Sequence, residues 1–168
     1  MAMKKKVLDA LNKQVNAELY SAYLYLSMAA YFESNNLKGF AHWMAVQAKE
    51  ELSHAMKFYN HIVERGSRAV FSAIEKPREE WKSPLEAFSD AYAHEQEVTS
   101  LIHGLVDLAR AEKDHATDSM LKWFVDEQVE EEASASEIVE QLKMVKESSN
   151  GLLMLDHRLG KRGKEPDK

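Results

Sequence analysis

The chain has 168 residues, 45% of them hydrophobic and 30% charged, with only six Gly and three Pro, long enough to bury a core without staples and composed like a helix-rich soluble domain. It has no Cys, which excludes disulfide frameworks, thiolate metal sites, iron–sulfur clusters and thiol nucleophiles, a usage compatible with a reducing cytoplasm. The 22 Lys+Arg against 28 Asp+Glu leave a net charge of −6, which disfavours nucleic acid as the main partner because phosphate neutralisation requires a basic surface.

The amino end, Met1-Ala2-Met3-Lys4-Lys5-Lys6, has the basic character of a signal-peptide start, but Asp9, Asn12, Lys13 and Gln14 interrupt any apolar segment after it. The lysines read instead as a solvated helix start. No stretch approaches the roughly 20 apolar residues that a membrane span needs. The expectation is one unexported, cytoplasmic domain over residues 1–168.

Val7, Leu8, Leu11, Val15, Leu19, Ala22, Leu26 and Ala29 recur mostly at steps of three and four, the spacing that gathers side chains on one helical stripe. A first helix is predicted over about 4–33, ending before Asn35-Asn36. A second runs over about 38–65 and stops at Arg65-Gly66, a cation followed by the residue best suited to a left-handed cap. Ser83-Pro84-Leu85-Glu86 opens a third, with a capping serine, proline at the first helical position and the glutamate of a capping box. It continues to about 112, and Asp114 can cap a fourth helix over about 115–146. Ser148-Ser149-Asn150-Gly151 breaks the pattern. A short fifth helix follows over about 152–160, and the tail is polar.

Short connections make the first and second helices antiparallel neighbours, and likewise the third and fourth. The segment 66–83 contains Pro77 and is too long for a hairpin; its 18 residues reach roughly 60 Å extended, against about 42 Å for a 28-residue helix. It can run the length of a bundle. The predicted fold is therefore all-α, a four-helix bundle with one long crossover between the second and third helices.

Each long helix carries an acid on its apolar stripe. Leu11, Glu18, Tyr25 and Phe32 are heptad-spaced and drift only about 20° per step. Met44, Ala48, Glu51, Ala55 and Phe58 share a stripe, with His54 one turn beyond Glu51. Phe88, Glu95 and Ile102 repeat the pattern, as do Phe124, Gln128, Glu131, Ala135 and Ile138. Unpaired carboxylates in one core cost several kcal/mol each, on the order of the effective penalty for a buried ion, and no Lys or Arg stands at a matching position. Metal is the simplest compensation. Glu51-x-x-His54 can reach one ion from one helix face, and Gln128-x-x-Glu131 repeats the spacing. Glu18, Glu51, Glu95 and Glu131, all ionised, balance two dications. Oxygen-rich donors with one histidine suit iron or manganese, and zinc would also bind.

Adjacent helical residues lie about 100° apart, so in the run from Val125 to Glu132 only Gln128 and Glu131 face this centre. Glu127 and Glu130, with Glu50, can line an adjoining acidic position, and Asp126 and Glu132 read as solvated. Taken alone these acids would read as a solvated face; the acids on the other three helices decide for metal. The eight methionines read as core filler, and His42, His61, His94, His103, His115 and His157 as surface or packing residues. Trp123 reads as core beside the site.

Four segments together resemble the non-haem ferritins of prokaryotic type. They are Asn16-Ala17-Glu18-Leu19-Tyr20-Ser21-Ala22-Tyr23-Leu24-Tyr25, Gly39-Phe40-Ala41-His42-Trp43, Glu50-Glu51-Leu52-Ser53-His54-Ala55, and Trp123-Phe124-Val125-Asp126-Glu127-Gln128-Val129-Glu130-Glu131-Glu132. The resemblance runs from about residue 7 to 160. It implies a ferroxidase centre with Glu18, Glu51 and His54 at one iron and Glu51, Glu95 and Glu131 at the other, Glu51 bridging and Gln128 nearby as a hydrogen-bonding or weakly coordinating group. It implies a third iron position at Glu50, Glu127 and Glu130, with Glu131 shared. It places Tyr25 beside the centre, as a hydrogen-bonding group or an electron source during reduction of dioxygen or hydrogen peroxide. It further implies iron storage in a homo-oligomeric shell of twenty-four subunits.

The relatives of that family separate by their motifs. Bacterioferritins carry a second Glu-x-x-His on the fourth helix and a haem-ligating methionine after the second-helix glutamate; Glu131 and Leu52 stand there in this chain, so haem is not expected. A small di-iron oxidase without mineral storage and a structural bundle with adventitious ions are the alternative classes.

Overall fold

The computed structural model describes residues 3–163; Met1, Ala2 and the last five residues of the polar tail lie outside the described residues. The described residues form five α-helices and no strands. They are α1 (Lys5–Ser34), α2 (Lys38–Glu64), α3 (Pro84–Ala111), α4 (His115–Val145) and α5 (Ser149–Leu159). None is long and apolar enough to cross a membrane.

Side-chain packing gives the helix directions. One apolar cluster joins Phe32 near the end of α1, Phe40 near the start of α2, Phe88 near the start of α3 and Leu142 near the end of α4, with Leu155 and Leu159 of α5. A second joins Leu11, Phe58, Ile102 and Leu121 from the opposite helix ends. So α2 and α3 run parallel to each other and antiparallel to α1 and α4. This is the four-helix bundle that a single long crossover requires.

The crossover climbs the outside of α1. Asn12 Oδ1 accepts from the Val70 amide at 2.9 Å, and Asn16 Nδ2 donates to the carbonyls of Ser72 and Ala73, both at 3.2 Å. Farther along, Ser27 Oγ donates to the Arg78 carbonyl at 2.6 Å, and the Trp81 ring meets Tyr31 edge-on at 5.4 Å. Extended backbone without sheet partners is thereby satisfied partly by helix side chains.

The helix ends follow local chemistry. Three helices close with the same pair of bonds. Leu37 N–H donates to Phe32 O and Asn36 N–H to Glu33 O after α1; Ser67 to Ile62 and Gly66 to Val63 after α2; Asp114 to Ala109 and Lys113 to Arg110 after α3. That pattern needs a left-handed residue, supplied by Asn36 (φ 59°), Gly66 (φ 70°) and Lys113 (φ 56°). Asp114 Oδ1 then accepts from the Thr117 amide at 3.1 Å and from Arg65 at 2.8 Å.

Four local readings need correction. The capping box is incomplete: Ser83 Oγ accepts from Glu86 N–H, but Glu86 returns to the Lys82 amide rather than to that of Ser83. The fifth helix starts three residues earlier than its apolar run, because Ser148 Oγ caps it through the Gly151 amide at 3.1 Å. Leu26, placed on the core stripe of the first helix, is 53% exposed. Trp123, read as core, is 40% exposed, with Lys57 Nζ 4.2 Å from its ring centroid.

Candidate metal centre

Between the two apolar clusters lies a buried layer of Glu18 and Ser21 from α1, Gln47, Glu51 and His54 from α2, Glu95 from α3, and Gln128 and Glu131 from α4. Each stands where its helix's core stripe crosses mid-bundle. The structure therefore brings Glu18, Glu51, His54, Glu95, Gln128 and Glu131 together, with Tyr25 among them.

Three groups of ligating atoms lie within 4.8 Å of one another: Glu18, Glu51 and His54; Glu51, Glu95 and Glu131; and His54, Glu127 and Glu131. Glu51 belongs to the first two and Glu131 to the last two. The adjoining acids separate. Glu127 Oε1 lies 3.8 Å from His54 Nε2, Glu50 pairs with Arg162 at 3.0 Å, and Glu130 is exposed. Glu50 and Glu130 act on Glu127 by charge without joining its ligand group.

Amides organise the carboxylates. Gln14 Nε2 donates to Glu18 Oε1 at 2.9 Å; Gln47 Nε2 donates to Glu51 Oε1 at 2.9 Å and to Glu131 Oε2 at 2.7 Å. Gln128 Nε2 donates to Glu95 Oε2 at 3.1 Å and to Thr99 Oγ1 at 3.2 Å, and the Tyr25 hydroxyl donates to Glu95 Oε1. Glu18 Oε2 is buried and no donor from another residue reaches it, the Glu51 carboxylate being its polar neighbour. A buried carboxylate oxygen with no donor costs about 1–3 kcal/mol or more, a cost that a cation beside it could offset.

Electrostatics agree with the geometry. Burial, and then the Glu51 carboxylate, pushes Glu18 well above the usual carboxylate range. Burial followed by Glu95 and Glu51 pushes Glu131 up to about 9, and burial followed by Glu51 raises Glu95 to about 7. Glu51 is the exception. Burial would raise it too, but the hydrogen bond and charge of His54, with the Gln47 amide, hold it below its ordinary value. His54 is raised in return: burial lowers it, but the hydrogen bond and charge of Glu51, with the charges of Glu127 and Glu95, outweigh that effect. Burial and mutual repulsion thus favour protons on Glu18, Glu95 and Glu131, where a cation could compensate the charge instead.

Gln14, Gln47, Thr99 and Arg162 were not singled out from sequence. Gln14-x-x-x-Glu18 and Gln47-x-x-x-Glu51 share one spacing, a signal available to a reader looking one turn before each buried acid. Glu132 is half-buried rather than solvated, accepting from Thr99 Oγ1 at 2.7 Å. His61 and His94 do pack, bonding Thr117 Oγ1 at 3.0 Å and Ser21 Oγ at 2.7 Å.

Among known proteins, the family described as Ferritin-like domain matches residues 8–145. The chain is 45% identical to a bacterial non-heme ferritin of Staphylococcus saprophyticus over 160 residues, covering 95% of this chain and 96% of that protein. A counterpart from Staphylococcus aureus is 43% identical with the same coverage. A novel open pore ferritin from the hyperthermophilic archaeon Archaeoglobus fulgidus superposes with a TM-score of 0.95 at 55% identity, covering 96% of this chain and 99% of that one. The chain belongs to the ferritin family, as a non-haem ferritin of the prokaryotic type.

Proposed function

We propose that the protein stores and detoxifies iron, oxidising Fe(II) at the mid-bundle site and passing Fe(III) to a mineral inside a shell of its own copies. The observation that carries this reading is the buried, under-solvated carboxylate set, with Glu18 Oε2 lacking any donor and two ligand groups sharing Glu51. Family membership supports the storage role. The reading places the protein in the cytoplasm, with neither haem nor nucleic acid as a partner, in a homo-oligomer of about twenty-four subunits, as the resemblance implies.

Iron is here the substrate. One Fe(II) is taken by Glu18, Glu51 and His54, and the second by Glu51, Glu95 and Glu131, so that four carboxylates balance two dications. Each Fe(II) gives up one electron. The pair supplies two, which with two protons reduce dioxygen to hydrogen peroxide, or hydrogen peroxide to two waters. The protein's part is to fix the two positions close together and to hold their charge.

Gln128 is a hydrogen-bonding group in this scheme, its nitrogen committed to Glu95 and Thr99. Tyr25, fully buried and bonded to Glu95, is placed to supply an electron or orient that carboxylate. Glu127 and Glu131, with Glu50 and Glu130 nearby, offer oxidised iron its next position. The test is stopped-flow Fe(II) oxidation: Glu18→Ala and His54→Ala each lose the fast phase, with a rate at least about 100-fold lower. Unchanged fast kinetics in both would remove the site assignment.

A further inference from the structure

The metal site's carboxylates are joined to the end of the described chain through one amide. Gln47 is fully buried on α2 and spends both N–H groups on Glu51 and Glu131, on two different helices. Its carbonyl oxygen accepts from Arg162 Nη2 at 2.8 Å. A guanidinium has donors and no acceptor, so it admits only one orientation of that amide: oxygen toward Arg162, nitrogen toward the carboxylates. The reverse orientation would set the amide oxygen against two acids.

Arg162 is itself held from several sides. Nη1 donates to the Trp43 carbonyl at 3.1 Å, Nη2 pairs with Glu50 Oε2 at 3.0 Å, and the guanidinium lies 4.2 Å from the Trp43 ring centroid. Its own carbonyl bonds His42 Nε2 at 2.8 Å. Among the described residues no Lys or Arg forms an ion pair with Glu18, Glu51, Glu95 or Glu131. Of the Arg side chains, Arg162 reaches Glu51 and Glu131 indirectly, through the Gln47 amide.

We propose that Arg162, just beyond α5, is a positioning residue for the metal site, acting through the Gln47 amide to fix Glu51 and Glu131 for binding. This inference rests on the metal reading of the site. Arg162 thereby becomes part of the centre's outer support, though it lies 115 residues from Gln47 in the chain. Supports of this kind change metal affinity by about 10–100-fold when removed.

The test is anaerobic calorimetric titration of the assembled full-length protein with Fe(II), in four forms: parent, Arg162→Ala, Gln47→Leu and the double variant. Arg162→Ala is expected to weaken binding by about 10-fold or more, and Gln47→Leu by a similar factor. In the Gln47→Leu background, adding Arg162→Ala should change affinity by less than about twofold, because the path is already cut. A general loosening of α5 would weaken binding equally in both backgrounds, and that result overturns the proposal. So does parent-like binding by Arg162→Ala. Failure of the parent to bind Fe(II) would instead overturn the metal reading, and this inference with it.

Discussion

Carboxylates packed out of water cannot all remain ionised without a counter-charge, and here burial and mutual repulsion lift Glu18, Glu95 and Glu131 while His54, with the Gln47 amide, holds Glu51 down. With Glu95 at about 7 and Glu131 at about 9, against 4.5 for an ordinary glutamate, the folded metal-free chain binds more protons than the unfolded one across that window. Its stability is therefore greatest toward the acid side of the window and falls as pH rises through about 7 and then about 9. Glu51, lowered, works in the opposite sense, its contribution being lost only as pH falls below 4.5. The metal-free protein should melt several degrees lower at about pH 8.5 than at about pH 6, since each pKa unit is worth about 1.4 kcal/mol at most. Calorimetric melting in the two buffers checks this; a higher melting point at the alkaline pH contradicts it. Fe(II) needs the ionised ligands, so anaerobic binding near neutral pH should release roughly two protons per subunit, measurable by titration in buffers of different ionisation enthalpy. The four acids and His54 could be read from sequence because each interrupts an apolar stripe. Gln14 and Gln47 were hidden by being uncharged, and Arg162 by lying far away in the chain.

Helix ends and helix crossings set where those side chains stand. Lys113 closes α3 in the left-handed region although it is neither Gly nor Asn, a conformation that costs a side-chain-bearing residue roughly 1 kcal/mol. Lys113→Gly, at this exposed position, should stabilise the protein by up to about 1 kcal/mol, less the entropy glycine adds to the unfolded chain; chemical denaturation reads it, and a loss of stability would contradict the account. Gly39 is the opposite case. A Cβ there would lie 1.6 Å from the Asp156 carbonyl oxygen, where α5 crosses the start of α2 and Asp156 Oδ1 caps the Phe40 amide at 2.9 Å. Gly39→Ala should cost about 1–3 kcal/mol or force α5 away from α2, and a parent-like denaturation midpoint would be the contrary result. Proline, serine and glycine signals made helix starts and stops legible, whereas the close approach at Gly39 depends on a segment more than a hundred residues downstream. The Leu26 error has its own cause. Apolar spacing alone follows Leu19, Ala22 and Leu26 off the core, while the true stripe passes through the polar Glu18 and Ser21 to Tyr25, Met28 and Phe32.

At the scale of the molecule, two apolar clusters clamp one polar layer. Phe58 and Phe124 stack at 4.1 Å on one side of it, and Phe32 and Phe40 at 5.1 Å on the other. That arrangement lets the chain keep charge at mid-height, because the core on either side supplies the stability the acids oppose. The parallel course of α2 and α3 was legible from the length of the 66–83 segment; its seat along α1 was not, since Asn12, Asn16 and Ser27 carry no sequence mark of what they bind. The central claim is storage following oxidation at this layer. The most direct measurement is iron retained per subunit after aerobic loading with excess Fe(II) and size-exclusion chromatography. The account predicts iron far above the two or three ions its sites can hold, travelling with a particle of many subunits. Retention stopping near two would indicate a di-iron oxidase without a store, and no retained iron would contradict the metal site itself.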